Sequence, residues 1–271
     1  MNSIAAVTAS AVCFLGGAAS AAPLTFAGVQ FAPGATVRAN VPLSSQEKSY
    51  SAQGGNSVPE NAVAVIVTPA NFDPKQSWPV LVVCSTSDNH RQNRDDLVDF
   101  YRRVANAEGW VVLAGDGPQF PRNDTAGWRG AMTLAAIDAL RRSFTGGEKW
   151  PVAVAGFSGG GKAAGSIAPL LAISGCHVIG IYLTGANADY LSGGYARCSP
   201  GAQFLQTPVY VSIGLDDRIA TQDQQYSVIS SIKRTGFKRV RMGTTLHGGH
   251  RVFDGQTQTA LRWFRQLANA P

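Results

Sequence analysis

The sequence predicts an α/β domain built on a mostly parallel central sheet with helices on both faces. From about residue 62 onward, strand-like runs alternate with helical patterns and are joined by short connections. This alternation implies right-handed crossovers between parallel strands. Several strands, among them 80–84, are almost continuously hydrophobic, which is typical of strands buried on both faces. We therefore expect functional side chains at the carboxyl ends of the strands, where open α/β sheets bind their ligands.

Hydrophobic periodicity and turn residues predict the individual elements. Residues 24–57 alternate over short pieces between Gly, Pro and Ser, which predicts hairpins at an antiparallel edge. Strands are predicted at 62–68, 80–84, 110–114, 150–155, 178–183, 208–213 and 240–245. Helices are predicted at 95–108, 126–143, 162–168 and 221–234, and near the C-terminus, where Ala260, Leu261, Phe264 and Leu267 share one face. Pro169 should end or kink the third helix. Residues 185–200 are predicted as a loop, which leaves little or no material for a lid.

The first 21 residues have the pattern of an export signal. Residues 4–18 are uncharged and rich in small apolar side chains, and Ala19-Ser20-Ala21 forms an A-x-A cleavage sequence. The segment resembles a secretory signal peptide. We expect a signal peptide at 1–21 and a single domain at 22–271, in a protein that is secreted or periplasmic. No later stretch reaches about 18 apolar residues, so stable membrane insertion is not expected.

The net charge of +6 gives no sign of a nucleic-acid partner. The chain has 23 Lys and Arg residues against 17 Asp and Glu, and the arginines are scattered over several segments rather than gathered in a basic run. Such a distribution favours solubility or weak attraction to acidic polymers over nucleic-acid binding.

The cysteines suggest one disulfide in an oxidising compartment. Cys13 would leave with the signal, and Cys84 falls in an apolar strand as a buried thiol. Cys176 and Cys198 are then the plausible pair, with two unpaired cysteines as the alternative. The histidines and cysteines lack metal-ligand spacing, so we expect neither a metal nor a cofactor.

The sequence Gly156-Phe157-Ser158-Gly159-Gly160 stands between a predicted strand and a predicted helix. A serine at the tip of such a turn takes a strained backbone conformation, and the residues two before and two after it must be small. Gly156 and Gly160 meet that requirement. The turn exposes the hydroxyl and aims nearby backbone N–H groups into the same space, which suits nucleophilic attack on a carbonyl.

The same residues also match the sequence pattern of a phosphate-binding loop. Residues 156–162 match G-x-x-x-x-G-K, but the hydroxyl that should follow the lysine to hold magnesium is replaced by Ala163. An acidic strand end, Asp216-Asp217, keeps this alternative open, and a glycine-rich connection without chemistry is the third interpretation.

A serine, an acid and a histidine follow three separate predicted strands, in that order: Ser158, Asp217 and His250. In this order and setting the chain resembles the α/β-hydrolase superfamily from about residue 62 to residue 267. The resemblance implies that Ser158 is the nucleophile, His250 the base and Asp217 its orienting acid. A phosphate-binding protein has no need of the late Gly-Gly-His sequence, so the histidine favours hydrolysis.

Some of these roles have rivals in the sequence. His247 is the second candidate base, Asp216 the second candidate acid, and Asp116 the next acid if neither neighbour serves. The resemblance implies an oxyanion hole made by the amide of Gly159 and one from the loop after strand 80–84, with Thr86 the first choice and Ser85 the second.

Within the superfamily, the chain is most similar to small secreted esterases of the dienelactone hydrolase and the polyester or feruloyl esterase type. Gly159 stands where cutinase-like enzymes have Met. The resemblance implies hydrolysis of a carboxylic ester, whose alcohol or acid part could be polymeric, as in a polysaccharide ester or a polyester. A secreted serine peptidase on the same fold and a catalytically inactive binding protein are the alternatives. Lys162 is expected to face solvent.

Overall fold

The structure is a computed structural model that describes residues 23–87 and 90–270. The signal peptide predicted at 1–21 lies outside the described residues. Ten strands are present within the described part: β1 Leu24–Phe26, β2 Val29–Phe31, β3 Thr36–Pro42, β4 Asn61–Val67, β5 Val80–Cys84, β6 Val111–Asp116, β7 Val152–Phe157, β8 Val178–Thr184, β9 Val209–Gly214 and β10 Val240–Thr245.

The α-helices are interleaved with these strands. They are α1 Ser45–Ser51, α2 Asn93–Asp96, α3 Arg102–Ala107, α4 Ala126–Ser143, α5 Gly159–Ile173, α6 Leu191–Cys198, α7 Gln222–Thr235 and α8 Asp254–Ala268. A π-helical segment, Leu97–Tyr101, joins α2 to α3, and short 3₁₀ turns lie at Gly147–Lys149 and Ala202–Gln206. None of the described helices is long and apolar enough to cross a membrane.

Eight strands form one sheet in the order β10-β9-β8-β7-β5-β6-β4-β3. β4 pairs antiparallel with both β3 and β6, and the remaining pairs are parallel. Two separate buried clusters lie on opposite sides of the sheet. The predicted fold, a mostly parallel sheet with helices on both faces, is therefore confirmed.

The predicted N-terminal edge differs from the structure in one element. Residues 24–31 form a hairpin, but a helix, α1, follows β3 where only hairpins were predicted. The Ser44 side chain accepts from the backbone N–H of Glu47, while the Glu47 carboxylate accepts from the N–H of Ser44. This capping box is readable in the sequence as Ser-x-x-Glu, and it stabilises a seven-residue helix that periodicity alone does not reveal.

One further prediction about helices was wrong, and a second was wrong in part. The loop predicted at 185–200 contains α6, and Pro169 does not end α5, which continues to Ile173. A proline inside a helix costs roughly 3 kcal/mol because it removes one hydrogen bond and crowds the carbonyl four residues earlier. Here Pro169 is buried, and that carbonyl, on Gly165, faces Gly194 of α6. Packing against α6 offsets the local penalty.

The predicted disulfide is not formed. Cys84, Cys176 and Cys198 are all free in the structure. Cys176 lies in the turn before β8, and its Sγ accepts a hydrogen bond from Nη2 of Arg141 at 3.2 Å. Sequence position cannot specify whether two sulfurs approach closely enough to bond. Cys84 is buried as predicted, and burial raises the pKa of its thiol to about 12.

Candidate active site

Ser158 lies on a strained turn between β7 and α5. Its backbone has φ 56° and ψ −119°, which is sparsely populated for any residue with a side chain. A methyl group on Gly156 would overlap the carbonyl oxygen of Gly160, and one on Gly160 would overlap that of Cys84. Glycine is required at both positions because strand, turn and helix approach one another this closely. Ser158 remains partly exposed at the strand end.

His250 and Asp217 form a hydrogen-bonded pair on neighbouring strand ends. Nδ1 of His250 lies 2.7 Å from Oδ2 of Asp217, and the two side chains are 16% and 2% exposed. The second oxygen, Oδ1, accepts from the backbone N–H groups of Ile219 and Ala220, both at 2.9 Å. The carboxylate is thus fixed on both sides, with one oxygen left for the imidazole.

Backbone contacts bring the acid loop and the histidine loop together. Leu215 donates its N–H to the carbonyl of Thr245, and Asp216 donates its N–H to that of Gly248. The loops after β9 and β10 therefore form one connected unit, because their strands are neighbours in the sheet.

The imidazole reaches the serine turn across β8. The ring centroids of His250 and Phe157 are 4.6 Å apart, and Phe157 directly precedes Ser158. Gly185, just after β8, would touch both rings if it carried a side chain. The three predicted residues Ser158, Asp217 and His250 thus lie at one edge of the sheet, with the His250 ring packed on the residue that precedes the serine.

The rival acid and base lie outside this cluster. The side chains of Asp216 and His247 are 61% and 94% exposed, and they face each other at 3.5 Å. His247 also has a positive φ of 53°, which is uncommon for a residue with a side chain.

Two residues that could supply an oxyanion hole, Gly159 and Thr86, lie close together next to Ser158. Gly159 is the first residue of α5, so its N–H has no partner within the helix. A methyl group on Gly159 would lie 2.7 Å from Cγ2 of Thr86, which shows how closely the loop after β5 approaches. Ser85, the second candidate, already donates its N–H to Oδ1 of Asn93 at 2.8 Å. Thr86 is therefore the better placed of the two.

No protein-family model matches the chain, and no curated protein matches its sequence. Solved structures do match. An esterase from Pyrobaculum calidifontis is 16% identical with a TM-score of 0.57, over 88% of this chain and 87% of the esterase. FphF, a fluorophosphonate-binding serine hydrolase of Staphylococcus aureus, is 12% identical with a TM-score of 0.56, over 88% of this chain and all of that one.

The chain has the α/β-hydrolase fold. It also matches dipeptidyl peptidase 4 from Porphyromonas gingivalis at 17% identity and a TM-score of 0.54, over 88% of this chain. The chain spans only 36% of the length of that peptidase. The predicted resemblance to the α/β-hydrolase superfamily, with esterase-type relatives, is confirmed at the level of the fold.

In this α/β-hydrolase fold, a cleft of about 310 Å³ adjoins the turn that carries Ser158. Apolar side chains, among them Ala163 and Ile167, line part of it, and Lys162 and Tyr190 also contribute. The ammonium of Lys162 lies 5.9 Å from the centre of the Tyr190 ring. Lys162 was predicted to face solvent, but it is half-buried against the cleft because α6 brings Tyr190 over the first turn of α5.

Arg129 is a buried residue that the sequence did not single out. It lies on α4, is 6% exposed and pairs with Asp124, whose side chain is also 6% exposed. Its guanidinium reaches the carbonyls of Ser85 and Thr86 and the side-chain oxygen of Asn93. Arginine is mostly found at protein surfaces, so the sequence predicts exposure for Arg129, and its burial follows only from the tertiary structure.

Asp116, the third candidate acid, binds the first turn of α2 rather than His250. Its carboxylate accepts from the backbone N–H groups of Asn93 and Arg94 at the start of α2, at 2.7 and 3.0 Å. It is not hydrogen-bonded to His250, whose carboxylate partner is Asp217. Burial raises the pKa of Asp116 to about 6, despite the two backbone N–H groups that act in the opposite direction.

This pKa predicts a stability effect with a definite sign. The folded state holds the Asp116 proton more tightly than the unfolded chain, where the pKa is about 3.9. The contribution of Asp116 to stability is therefore greatest below about pH 3.9, and it falls by about 3 kcal/mol as the pH rises from there through 6. Asp116→Asn should flatten the change in unfolding free energy between about pH 4.5 and pH 7.5. Urea unfolding of both proteins measures it, and parallel curves would contradict the assignment.

The part of the chain that the structure describes contains no group of three or more His, Cys, Asp or Glu side chains arranged to hold a metal ion.

Proposed function

We propose that this protein is a serine hydrolase that cleaves carboxylic esters, with Ser158 as nucleophile, His250 as general base and Asp217 as orienting acid. The observation that carries the proposal is the strained turn of Ser158 at the same sheet edge as the 2.7 Å pair of His250 and Asp217. Strain of this kind persists where the surrounding fold maintains it, and it clusters at active sites.

The proposed reaction proceeds in two displacements. Oγ of Ser158 forms a bond to the acyl carbon while Nε2 of His250 takes its proton, which then passes to the departing alcohol oxygen as the ester C–O bond breaks. A water molecule then attacks the acyl-serine by the same route and releases the acid. The amides of Gly159 and Thr86 would stabilise the negative oxygen of each tetrahedral intermediate, by roughly 3 kcal/mol for each donor.

The phosphate-binding alternative finds less support. Ala163 follows Lys162 where a magnesium-binding hydroxyl would be needed. The carboxylate of Asp217, which would serve as the acidic partner, is already committed to His250 and to two backbone N–H groups.

Lys162 supports a preference for anionic substrates. Asp124 and Arg129 neutralise each other, so Lys162 is the unbalanced charge among the described residues that line the cleft. The apolar surfaces of Ala163 and Ile167 would accept the carbon chain of such a substrate. Polysaccharide esters and polyesters whose fragments carry a carboxylate belong to this class.

Lys162→Met should therefore raise KM for an anionic ester. With mono-p-nitrophenyl glutarate we expect an increase of about 2-fold to 5-fold, the size of one partly exposed charge contact. The uncharged p-nitrophenyl pentanoate has an acyl chain of the same length, so its KM should hardly change, and Lys162→Arg should behave as the parent protein. Equal changes in KM for both esters would show that Lys162 does not distinguish the charged ester from the uncharged one.

A substrate panel tests the proposed function. It should contain p-nitrophenyl esters of increasing chain length, a feruloyl ester, acetyl-xylan and peptide substrates. Hydrolysis of the esters is the expected result. If the peptides are cleaved and the esters are not, the protein is a peptidase. If it binds acetyl-xylan and hydrolyses none of the substrates, it is an inactive binding protein.

We also propose that the protein is exported, on the strength of the A-x-A sequence at 19–21. N-terminal sequencing of protein recovered from the periplasm or the medium should give a start at residue 22. A start at residue 1 would refute cleavage at this site.

A further inference from the structure

Arg129 holds the loop that would supply the second amide of the oxyanion hole. Nη1 donates to the carbonyl oxygen of Ser85 at 3.0 Å and to its hydroxyl at 2.7 Å, and Nη2 donates to the carbonyl oxygen of Thr86 at 2.7 Å. Both terminal nitrogens of the guanidinium are thus engaged on consecutive residues of one short loop. A planar fork of fixed geometry can hold two neighbouring peptide groups in place at once.

Because the peptide group is planar, the contact with the Ser85 carbonyl also fixes the direction of the Thr86 N–H. The carbonyl of Ser85 and the N–H of Thr86 belong to the same planar trans peptide, so they point in opposite directions. Because Arg129 fixes that carbonyl on its own side, the N–H of Thr86 is directed away from α4. The Thr86 side chain is packed on Gly159, the residue that offers the other amide.

Asn93 binds the N–H of Ser85, which is the competing donor for the oxyanion hole. Its Oδ1 accepts the N–H of Ser85 at 2.8 Å and also accepts from Nη1 of Arg129 at 2.9 Å. Asn93 itself is fixed because its Nδ2 donates to the carbonyl of Gly115 on the neighbouring strand. The N–H of Ser85 is therefore already bonded inside the protein, which leaves the N–H of Thr86 as the candidate donor to the substrate.

Asp124 keeps the guanidinium in this position. Its carboxylate accepts from Nε of Arg129 at 2.7 Å and from Nη2 at 2.5 Å, and both side chains are almost fully buried. Such bidentate pairing fixes the plane of an arginine as well as its charge. The network is therefore rigid before any substrate arrives, which is the condition under which a backbone donor stabilises a developing charge most effectively.

We propose that Arg129 is a positioning residue of the oxyanion hole, which aims the N–H of Thr86 at the negative oxygen of the tetrahedral intermediate. The proposal rests on the proposed hydrolase function. Arg129 itself does not touch the substrate's reacting atoms; it acts through the Ser85–Thr86 peptide.

The test is Arg129→Lys, which retains the charge but cannot span both carbonyls and Asp124. We expect kcat for an ester to fall by about 100-fold, as for loss or misplacement of one oxyanion donor, while KM stays within about 3-fold. The affinity for an alkylboronic acid should fall in parallel with kcat, because its tetrahedral adduct on Ser158 places an oxygen in the hole. A purely structural role would not produce this split between kcat and KM.

Arg141→Lys is the matched control. Arg141 lies on the same helix, about 18 Å along its axis from Arg129, and donates to the carbonyl of Ser174 and to Cys176. It should lower the melting temperature without changing kcat. Ser85→Ala is a milder second variant, which deletes one oxygen that Arg129 holds, and it should lower kcat about 5-fold with KM unchanged.

The outcomes separate the two proposals. If the parent protein cleaves no ester and its Ser158 does not react with a fluorophosphonate, the hydrolase proposal fails. If the parent is active but Arg129→Lys and Ser85→Ala both keep the parent kcat, the positioning role is overturned and the hydrolase function stands. Should Arg129→Lys fail to fold, kcat of Ser85→Ala decides alone.

Discussion

Replacement of Ser158 by alanine is expected to abolish ester hydrolysis and to leave the folded structure intact. Loss of the nucleophile of a serine hydrolase lowers kcat by about a millionfold, because the remaining groups cannot form the acyl-enzyme. The hydroxyl has no side-chain hydrogen bond as cap of α5, so its removal costs the helix little. Steady-state hydrolysis of p-nitrophenyl butyrate measures the loss, and circular dichroism reports the fold.

Ser158→Gly is a matched control that separates chemistry from strain. Alanine retains the side-chain carbon that makes φ 56°, ψ −119° unfavourable, whereas glycine adopts such angles readily. Both variants should be inactive, but the glycine variant should be the more stable by about 1 kcal/mol, since it releases the strain at the turn. A fluorophosphonate should label the parent and neither variant. Labelling of the alanine variant would place the nucleophile elsewhere.

The fold could be predicted from the sequence because most of its strands are long, apolar and separated by clear turn signals. The strands predicted at 80–84 and 240–245 and the helix predicted at 126–143 have the observed bounds. Where prediction failed, packing between distant elements prevailed over local preference. Pro169 remains inside a helix because α6 covers that turn. α6 itself is only eight residues long and has two glycines in its middle, so helix propensity does not reveal it.

The site residues that could be predicted from the sequence are those that come directly after a strand. Ser158, Asp217 and His250 each follow a strand, so a parallel sheet brings them to one edge whatever the details of the loops. Arg129 gave no comparable signal. Its partners lie 5, 36, 43 and 44 residues away along the chain, and only the tertiary structure brings them together. The disulfide failed for the same reason, since chain position does not fix a distance between sulfurs.

Asp217→Asn should lower turnover far more than Asp216→Asn. Oδ1 of Asp217 accepts from two backbone N–H groups, so in the asparagine variant the amide oxygen should keep that position. The amide NH₂ would then face Nδ1 of His250, which must accept a hydrogen bond rather than donate one. This places the imidazole proton on Nε2, the nitrogen that should be free to take the proton of Ser158. The expected loss is about ten-thousandfold in kcat, as when an orienting acid no longer fixes the tautomer.

Asp216→Asn changes an exposed side chain whose neighbour, His247, is itself exposed. The contact that Asp216 contributes to the loop is its backbone N–H on the carbonyl of Gly248, and this bond does not depend on the side chain. We expect less than about a 3-fold change in kcat, in keeping with the small effect of exposed charges. The two variants differ by one position and by the same chemical substitution, so their ratio on a single ester isolates the orientation of His250 from any general effect of charge. A larger loss at Asp216 would transfer the acid role to that residue, and near-parent rates in both would remove Asp217 from the proposed mechanism.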